Sequence, residues 1–197
     1  MSLLIRLLAR LPLRWAHALG AVLGWLVYMA SPAYRRHLRQ NLGQAGYGDA
    51  ATRRAAIVEG GRGLLELPLL WLRPHAEVAA LVRQVTGWEL VEEAQQAGRG
   101  ILFLTPHLGC FEVTAQYYAS RSPPAPPITV LYKPPKNKSI EPFMLAGRRR
   151  PNLAIAAPDL RGLRAMLRAL KRGAAVGILP DQAPDIGQGA WTPFFGK

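Results

Sequence analysis

His107, Cys110 and Glu112 stand within the stretch "TPHLGCFE", residues 105–112, and carry the side chains in this chain best suited to chemistry. A histidine can act as a general base and a thiol as a nucleophile. A carboxylate can accept the proton of one imidazole nitrogen and make the other more basic. In a continuous helix, residues five apart point about 140° away from each other. His107 and Glu112 therefore meet only if the histidine precedes a helix and the glutamate lies in its first turn. Pro106 and Gly109 suit such a turn, and the helix start beyond it would suit an oxyanion or phosphate. Cys110 reads in two ways, as a thiol activated by His107 or as a small apolar residue packed under the turn. With four histidines and 12 acids in the chain, the five-residue spacing alone is weak, so the placement must carry the reading. His17, His37 and His75 stand in separate contexts without ligand spacing, and one cysteine allows neither an internal disulfide nor a multi-cysteine zinc site.

The elements around the centre give that placement. "GILFLT" is a short apolar run bounded by glycine and proline, read as a buried strand, and "VTAQYYAS" continues as helix. "RSPPAPP" is a loop, "ITVLY" a second buried strand and "AAVGILP" a third. Between the last two lies "DLRGLRAMLRALKRG", an amphipathic helix with Leu160, Leu163, Leu167 and Leu170 on one face and Gly173 as its stop. Upstream, residues 51–73 read as a helix interrupted near Gly60–Gly63 and Pro68, and "HAEVAALVRQV" as another short helix. Strands separated by helices imply an α/β fold with a mostly parallel sheet, whose ligands sit near the strands' carboxyl ends. His107 follows the first strand and Asp181 the third, so both could face one cleft.

Charge and hydropathy suggest a partner. Lys and Arg number 25 against 12 Asp and Glu, a net charge of +13 and a pI near 10.9. Nucleic acid, acidic lipid headgroups and phosphorylated substrates could all answer that charge, as could a compositional bias toward arginine. Aromatic residues are not interleaved with the basic runs and no nucleic-acid motif is present, which sets nucleic acid aside. From Trp15 to Tyr34 there is no Lys, Arg, Asp or Glu, a length near the ~20 residues that span a bilayer core. Arg6, Arg10 and Arg14 before it form one cationic stripe on a leucine-rich helix, the pattern of an interfacial segment with snorkelling arginines. "SPA" at 31–33 could pass for a signal-peptide cleavage site, but Arg35, Arg36 and Arg39 follow at once and retard translocation. The expectation is an uncleaved anchor over residues 1–34 and a catalytic domain over 35–197.

Four blocks in order carry a resemblance: "GILFLTPHLGCFE", "LYKPPKN", "GRRRPN" and "LRALKRGAAVGILPDQAPDIGQGAWTPFFG". With "LPLRWAHALGAVLGWLVY" and "RRHLRQNL" before them, nearly the whole chain resembles the bacterial late acyltransferases of lipid A assembly, in the lysophospholipid-acyltransferase-like superfamily. The resemblance implies a glycerol-phosphate-acyltransferase-like fold at the cytoplasmic face of the inner membrane, among anionic lipids. It implies transfer of a fatty acyl chain from acyl carrier protein to a hydroxyacyl chain of a lipid A precursor, with no cofactor and no metal. His107 would be the general base and Glu112 its orienting partner, while Cys110 only packs. Lys133 (where the family commonly has arginine), Arg148 and Arg150 would hold anionic substrate groups, and Asp181 and Gln182 would shape the cleft. The sequence given stops at "PFFGK", where relatives continue. Trp191, Phe194 and Phe195 are expected to pack under later structure, and 197 residues alone to be catalytically poor. Two alternatives stay open: an acyltransferase of another membrane glycolipid, such as a phosphatidylinositol mannoside, and an inactive, basic, membrane-bound remnant.

Overall fold

The computed structural model describes residues 2–121, 126–181, 190 and 192–193, and the chain divides into two compact units. One is built on Leu11–Leu67; the other joins helix α1 (Ser2–Arg10) to Pro68–Asp181.

The first unit consists of α2 (Leu13–Ala30), α3 (Pro32–Gln44) and most of α4 (Ala50–Leu72). Glycines set how α2 and α4 meet. A Cβ on Gly61 would stand 2.0 Å from the carbonyl oxygen of Gly20, and one on Gly24 would stand 2.2 Å from that of Ile57. The two backbones are in direct contact, an approach that only residues without side chains permit. This corrects the interruption expected at Gly60–Gly63. The helix runs unbroken through those glycines and past Pro68, because packing at this crossing overrides the weak helix propensity of glycine.

The uncharged stretch from Trp15 to Tyr34 is likewise not one continuous span. α2 ends at Ala30; Pro32 opens α3, and Ser31 caps it by accepting the Tyr34 N–H at 3.2 Å. The two helix axes differ by 103°. Among the described residues no single helix is long and apolar enough to cross a membrane; α2 and α3 meet that requirement only as a bent pair. Trp15, Leu19, Val22, Leu26 and Met29 are all exposed along α2. Their spacing of i, i+4, i+7, i+11 and i+14 makes one apolar stripe. The opposite face, Ala16, Gly20, Gly24 and Tyr28, is buried.

The second unit is the α/β body. Beyond α1 it contains α5 (His75–Ala79), α6 (Trp88–Gln96), β1 (Ile101–Leu104), α7 (Glu112–Arg121), β2 (Ile128–Leu131), α8 (Glu141–Arg148), β3 (Leu153–Ala156), α9 (Leu160–Lys171) and β4 (Ala175–Ile178). The four strands form one parallel sheet in the order β1-β4-β2-β3. α5 is shorter than the helix expected there, while α6, α8 and β3 extend the sequence reading. Tyr118 and Ala119 of α7 pack with Ile128 and Ala175 on one face of the sheet, and Trp88 of α6 joins them. On the other face Met166 and Ala169 of α9 pack with Ala156 and Val176.

The helix α9 lies on the sheet by a different face from the one its leucines mark. Asp159 caps it, accepting the Gly162 N–H at 2.8 Å. A Cβ on Gly162 would stand 1.8 Å from the Ala157 carbonyl oxygen. Gly162 thus lets the first turn of α9 fold tightly against the backbone that leads into it; Leu160, Leu163 and Leu167 are left exposed, while Leu170 packs against the core.

Two glycines only two positions apart should therefore behave in opposite ways. Gly61→Leu would drive a side chain into the α2 backbone, and a loss of at least 1–3 kcal/mol is expected, on the scale of overpacked cores. At Gly63, where a Cβ meets nothing within 4 Å, Gly63→Ala should gain about 0.5–1 kcal/mol. Chemical denaturation of the two variants reads both signs; a stable Gly61→Leu protein would contradict the close crossing.

Candidate active site

Parallel pairing of β1 with β4 brings the two candidate groups together. The register sets Leu104 opposite Ile178, and the Thr105 N–H extends the ladder by donating to the Ile178 carbonyl at 2.9 Å. His107 lies three residues past Leu104 and Asp181 three past Ile178, at the carboxyl ends of neighbouring strands, where open α/β sheets place their ligands. The His107 backbone N–H donates to Asp181 Oδ2 at 2.6 Å, and the ring Nδ1 lies 2.7 Å from Oδ1. One carboxylate thus holds both the backbone and the ring of the histidine. An ionised carboxylate only accepts, so Nδ1 carries the proton and Nε2 the lone pair.

The same contacts act on the acid. The hydrogen bond from the imidazole, then that from the His107 N–H, hold the Asp181 carboxyl below its ordinary value. A depressed folded value stabilises the native state above the unfolded carboxylate value of about 3.9. That contribution is lost as pH falls through the lower folded value. The side chains of His107 and Asp181 are 32% and 36% exposed.

Glu112 opens α7, as the sequence predicted, but its partner is Arg148. The guanidinium closes on it with two nitrogens: Nη2 bonds Oε1, and Nε donates to Oε2 at 3.4 Å. These side chains are only 10% and 16% exposed. The pairing of Glu112 with the imidazole expected from the sequence is thus corrected: Asp181 stands at Nδ1, and both oxygens of Glu112 turn to the last turn of α8. Arg148 also lies over the Tyr132 ring, 5.1 Å from its centroid. The Tyr132 hydroxyl donates to Glu141 at 3.3 Å. Burial, and then the charge of Glu141, push the Tyr132 hydroxyl's pKa up.

The remaining candidates separate by environment. Arg150 donates from Nη2 to the carbonyls of Leu70, Trp71 and Arg73, at 3.1, 3.1 and 2.7 Å. Those carbonyls close the end of α4, so Arg150 caps a helix C-terminus, where cations are favoured. Burial pulls its guanidinium down from the ordinary value. Lys133 is exposed, two residues past the end of β2. Cys110 is half-buried in the turn, and Gln182 lies outside the described residues. Gly109 has a φ of +56°, the left-handed conformation that glycine adopts freely.

A cavity of about 310 Å³ lies beside this centre, between the sheet and α6–α7. Val82, Val85, Trp88, Val91, Phe103, Tyr118, Ile128, Val130 and Leu153 supply its apolar walls, with Glu112 and Arg148 among its polar ones. Phe111 lines it and touches the His107 ring edge-to-face, with centroids 4.6 Å apart. Neither the cavity nor Phe111 stood out in the sequence. The "CF" dipeptide before Glu112 was the available signal, and it gains meaning only once the sheet is folded against α7.

Two measurements check this geometry without a substrate. The 15N shifts of the His107 ring should show the Nδ1–H tautomer and lose it in Asp181→Ala. In Glu112→Gln the tautomer should persist. Glu112→Ala leaves Arg148 nearly buried without its counter-charge and should cost about 3–5 kcal/mol of stability. Loss of the tautomer in Glu112→Gln with Asp181 intact would contradict the assignment.

Comparison with known proteins gives the chain its relatives. The family model described as bacterial lipid A biosynthesis acyltransferase matches residues 2–197. The lipid A biosynthesis lauroyltransferase of Escherichia coli (strain K12) is 29% identical over 135 residues, 68% of this chain and 42% of that protein. The lipid A biosynthesis palmitoleoyltransferase of the same organism and the lipid A biosynthesis acyltransferase of Shigella flexneri are each 28% identical over the same lengths. The matched region spans about two-fifths of these curated relatives. The chain belongs to the bacterial lipid A biosynthesis acyltransferase family.

Proposed function

We propose that this chain performs acyl transfer onto a lipid A precursor, with His107 as general base. The observation that carries the reading is the His107–Asp181 pair at adjacent strand ends, beside an apolar cavity reached past Phe111. Nε2 takes the proton of the acceptor hydroxyl as its oxygen attacks the thioester carbonyl of the donor. The C–S bond then breaks, and the departing thiolate takes the proton back from Nε2 to leave as a thiol. Asp181 keeps Nδ1 protonated throughout and stabilises the imidazolium, the role of the third member of a catalytic triad. The nucleophile is the substrate's own oxygen, so Cys110 forms no covalent intermediate.

The surroundings suit two substrates. The apolar walls of the cavity suit an acyl chain. The donor in this reading is acyl carrier protein, and the acceptor a hydroxyacyl chain of the lipid A precursor. Lys133, exposed at the end of β2, is available to a substrate phosphate. Arg148 and Glu112 act first on each other, bracing the cavity wall from which α7 and the turn before it depart. The glycerol-phosphate-acyltransferase-like fold belongs to the same proposal, supported by a parallel sheet that carries a histidine past its first strand. So does placement at the cytoplasmic face of the inner membrane, supported by the exposed stripe of α2.

With acyl carrier protein as donor, His107→Ala should lower the transfer rate at least 10²-fold, the scale of a positioned base, while Cys110→Ser keeps most activity. Accumulation of a covalent acyl-enzyme that disappears in Cys110→Ser would overturn the mechanism. An intact protein with no transfer under any condition would favour the inactive remnant. For the membrane placement, alkaline carbonate should leave the protein with the membranes and detergent should release it; recovery in the salt-washed supernatant would contradict it.

A further inference from the structure

A cationic groove of about 660 Å³ lies away from the histidine, between α1, the end of α4, α5 and α8. Arg6, Arg10 and Arg73 line it, together with Glu77, Pro142 and Phe143. Arg73 donates from Nε to the Ala9 carbonyl at 2.9 Å. That bond fixes the last turn of α1 and brings a third guanidinium beside the two that α1 carries. Among the described residues, neither Arg6 nor Arg10 forms an ion pair with a carboxylate. Among the residues that line the groove, three are cationic and one, Glu77, is acidic.

The outer surface of α1 is apolar: Leu3, Leu4 and Leu7 are 68%, 60% and 53% exposed. At 3.6 residues per turn, Arg6 and Arg10 project between these leucines and the buried Ala9. A leucine ridge beside a guanidinium cluster suits a ligand that is apolar at one end and anionic at the other. Leucines enter the acyl region of a bilayer while arginines stay at the level of the headgroups, where guanidinium pairs closely with phosphate. A soluble phosphate would have no use for the ridge. We propose that this groove binds the phosphate of an anionic lipid headgroup and seats α1 in the membrane surface. The proposal rests on the membrane placement above and is independent of the acyl-transfer chemistry.

The test uses the full chain in neutral detergent micelles, titrated with brominated phosphatidylglycerol or brominated phosphatidylcholine, with quenching of tryptophan fluorescence as the readout. Two cations, each worth about fivefold at an anionic lipid surface, predict that Arg6→Gln/Arg10→Gln weakens phosphatidylglycerol binding about 25-fold and leaves phosphatidylcholine unchanged. Arg6→Lys/Arg10→Lys should hold binding within a few-fold, which separates loss of the site from loss of the fold. Removing the same charge elsewhere, in Arg53→Gln/Arg54→Gln, should have a much smaller effect. Equal losses in the two glutamine pairs would reduce the effect to net charge and overturn the groove. Displacement of phosphatidylglycerol by equimolar glycerol 3-phosphate would make it a site for soluble phosphates and overturn the lipid assignment. Failure of both lipids to quench would sink the membrane placement itself.

Discussion

Parallel pairing of β1 with β4 is the constraint on which the geometry of the candidate site depends. These strands are far apart in sequence, and only their pairing sets Leu104 beside Ile178. From that register the chain needs three residues on each side to bring an imidazole to a carboxylate. A shift of one residue would reverse the face of every following side chain and separate His107 from Asp181. The strands are only four residues long, so the register is held by what packs on the sheet. Val176 is fully buried against α9, and Ala175 against α7. The site inherits its precision from these small residues.

Two pairings of an acid with a basic side chain stand at the candidate site, His107 with Asp181 and Arg148 with Glu112, and their surroundings separate their roles. Glu112 and Arg148 are nearly buried, so their pairing answers mainly the cost of desolvating two charges and fixes one geometry at the cavity wall. His107 and Asp181 are about one-third exposed. In such a setting a hydrogen bond contributes modestly to stability, but it fixes a tautomer, which is what base chemistry requires.

Much of this was legible in the sequence. The strand before His107, the turn at Gly109 and the helix start at Glu112 could all be read from local pattern, and so could the parallel sheet. What escaped depended on long-range geometry. Glu112 meets Arg148, 36 residues away, and nothing local distinguishes that partner from His107, five residues away. Asp181 was visible as a group facing the same cleft, but its hold on Nδ1 comes from the strand register. Gly61 of α4 looked like part of a helix break because the helix it touches, α2, lies far upstream. The leucines of α9 lined one face in the sequence, yet Met166 and Ala169 are the residues buried on the sheet, with Leu170 alone of those leucines packed beside them. The uncharged stretch after Trp15 looked like one span because composition does not register the 103° turn at Ser31 and Pro32.

The central claim is that Asp181, by holding the Nδ1 proton of His107, makes Nε2 the base. Single-turnover acyl transfer measured across pH in the wild type, Asp181→Asn and Glu112→Gln tests it most directly. Asp181→Asn should be slower by about 10²-fold or more at every pH, with donor binding intact, because the amide allows the wrong tautomer. A wild-type rate in Asp181→Asn, together with a lost rate in a folded Glu112→Gln protein, would contradict the account.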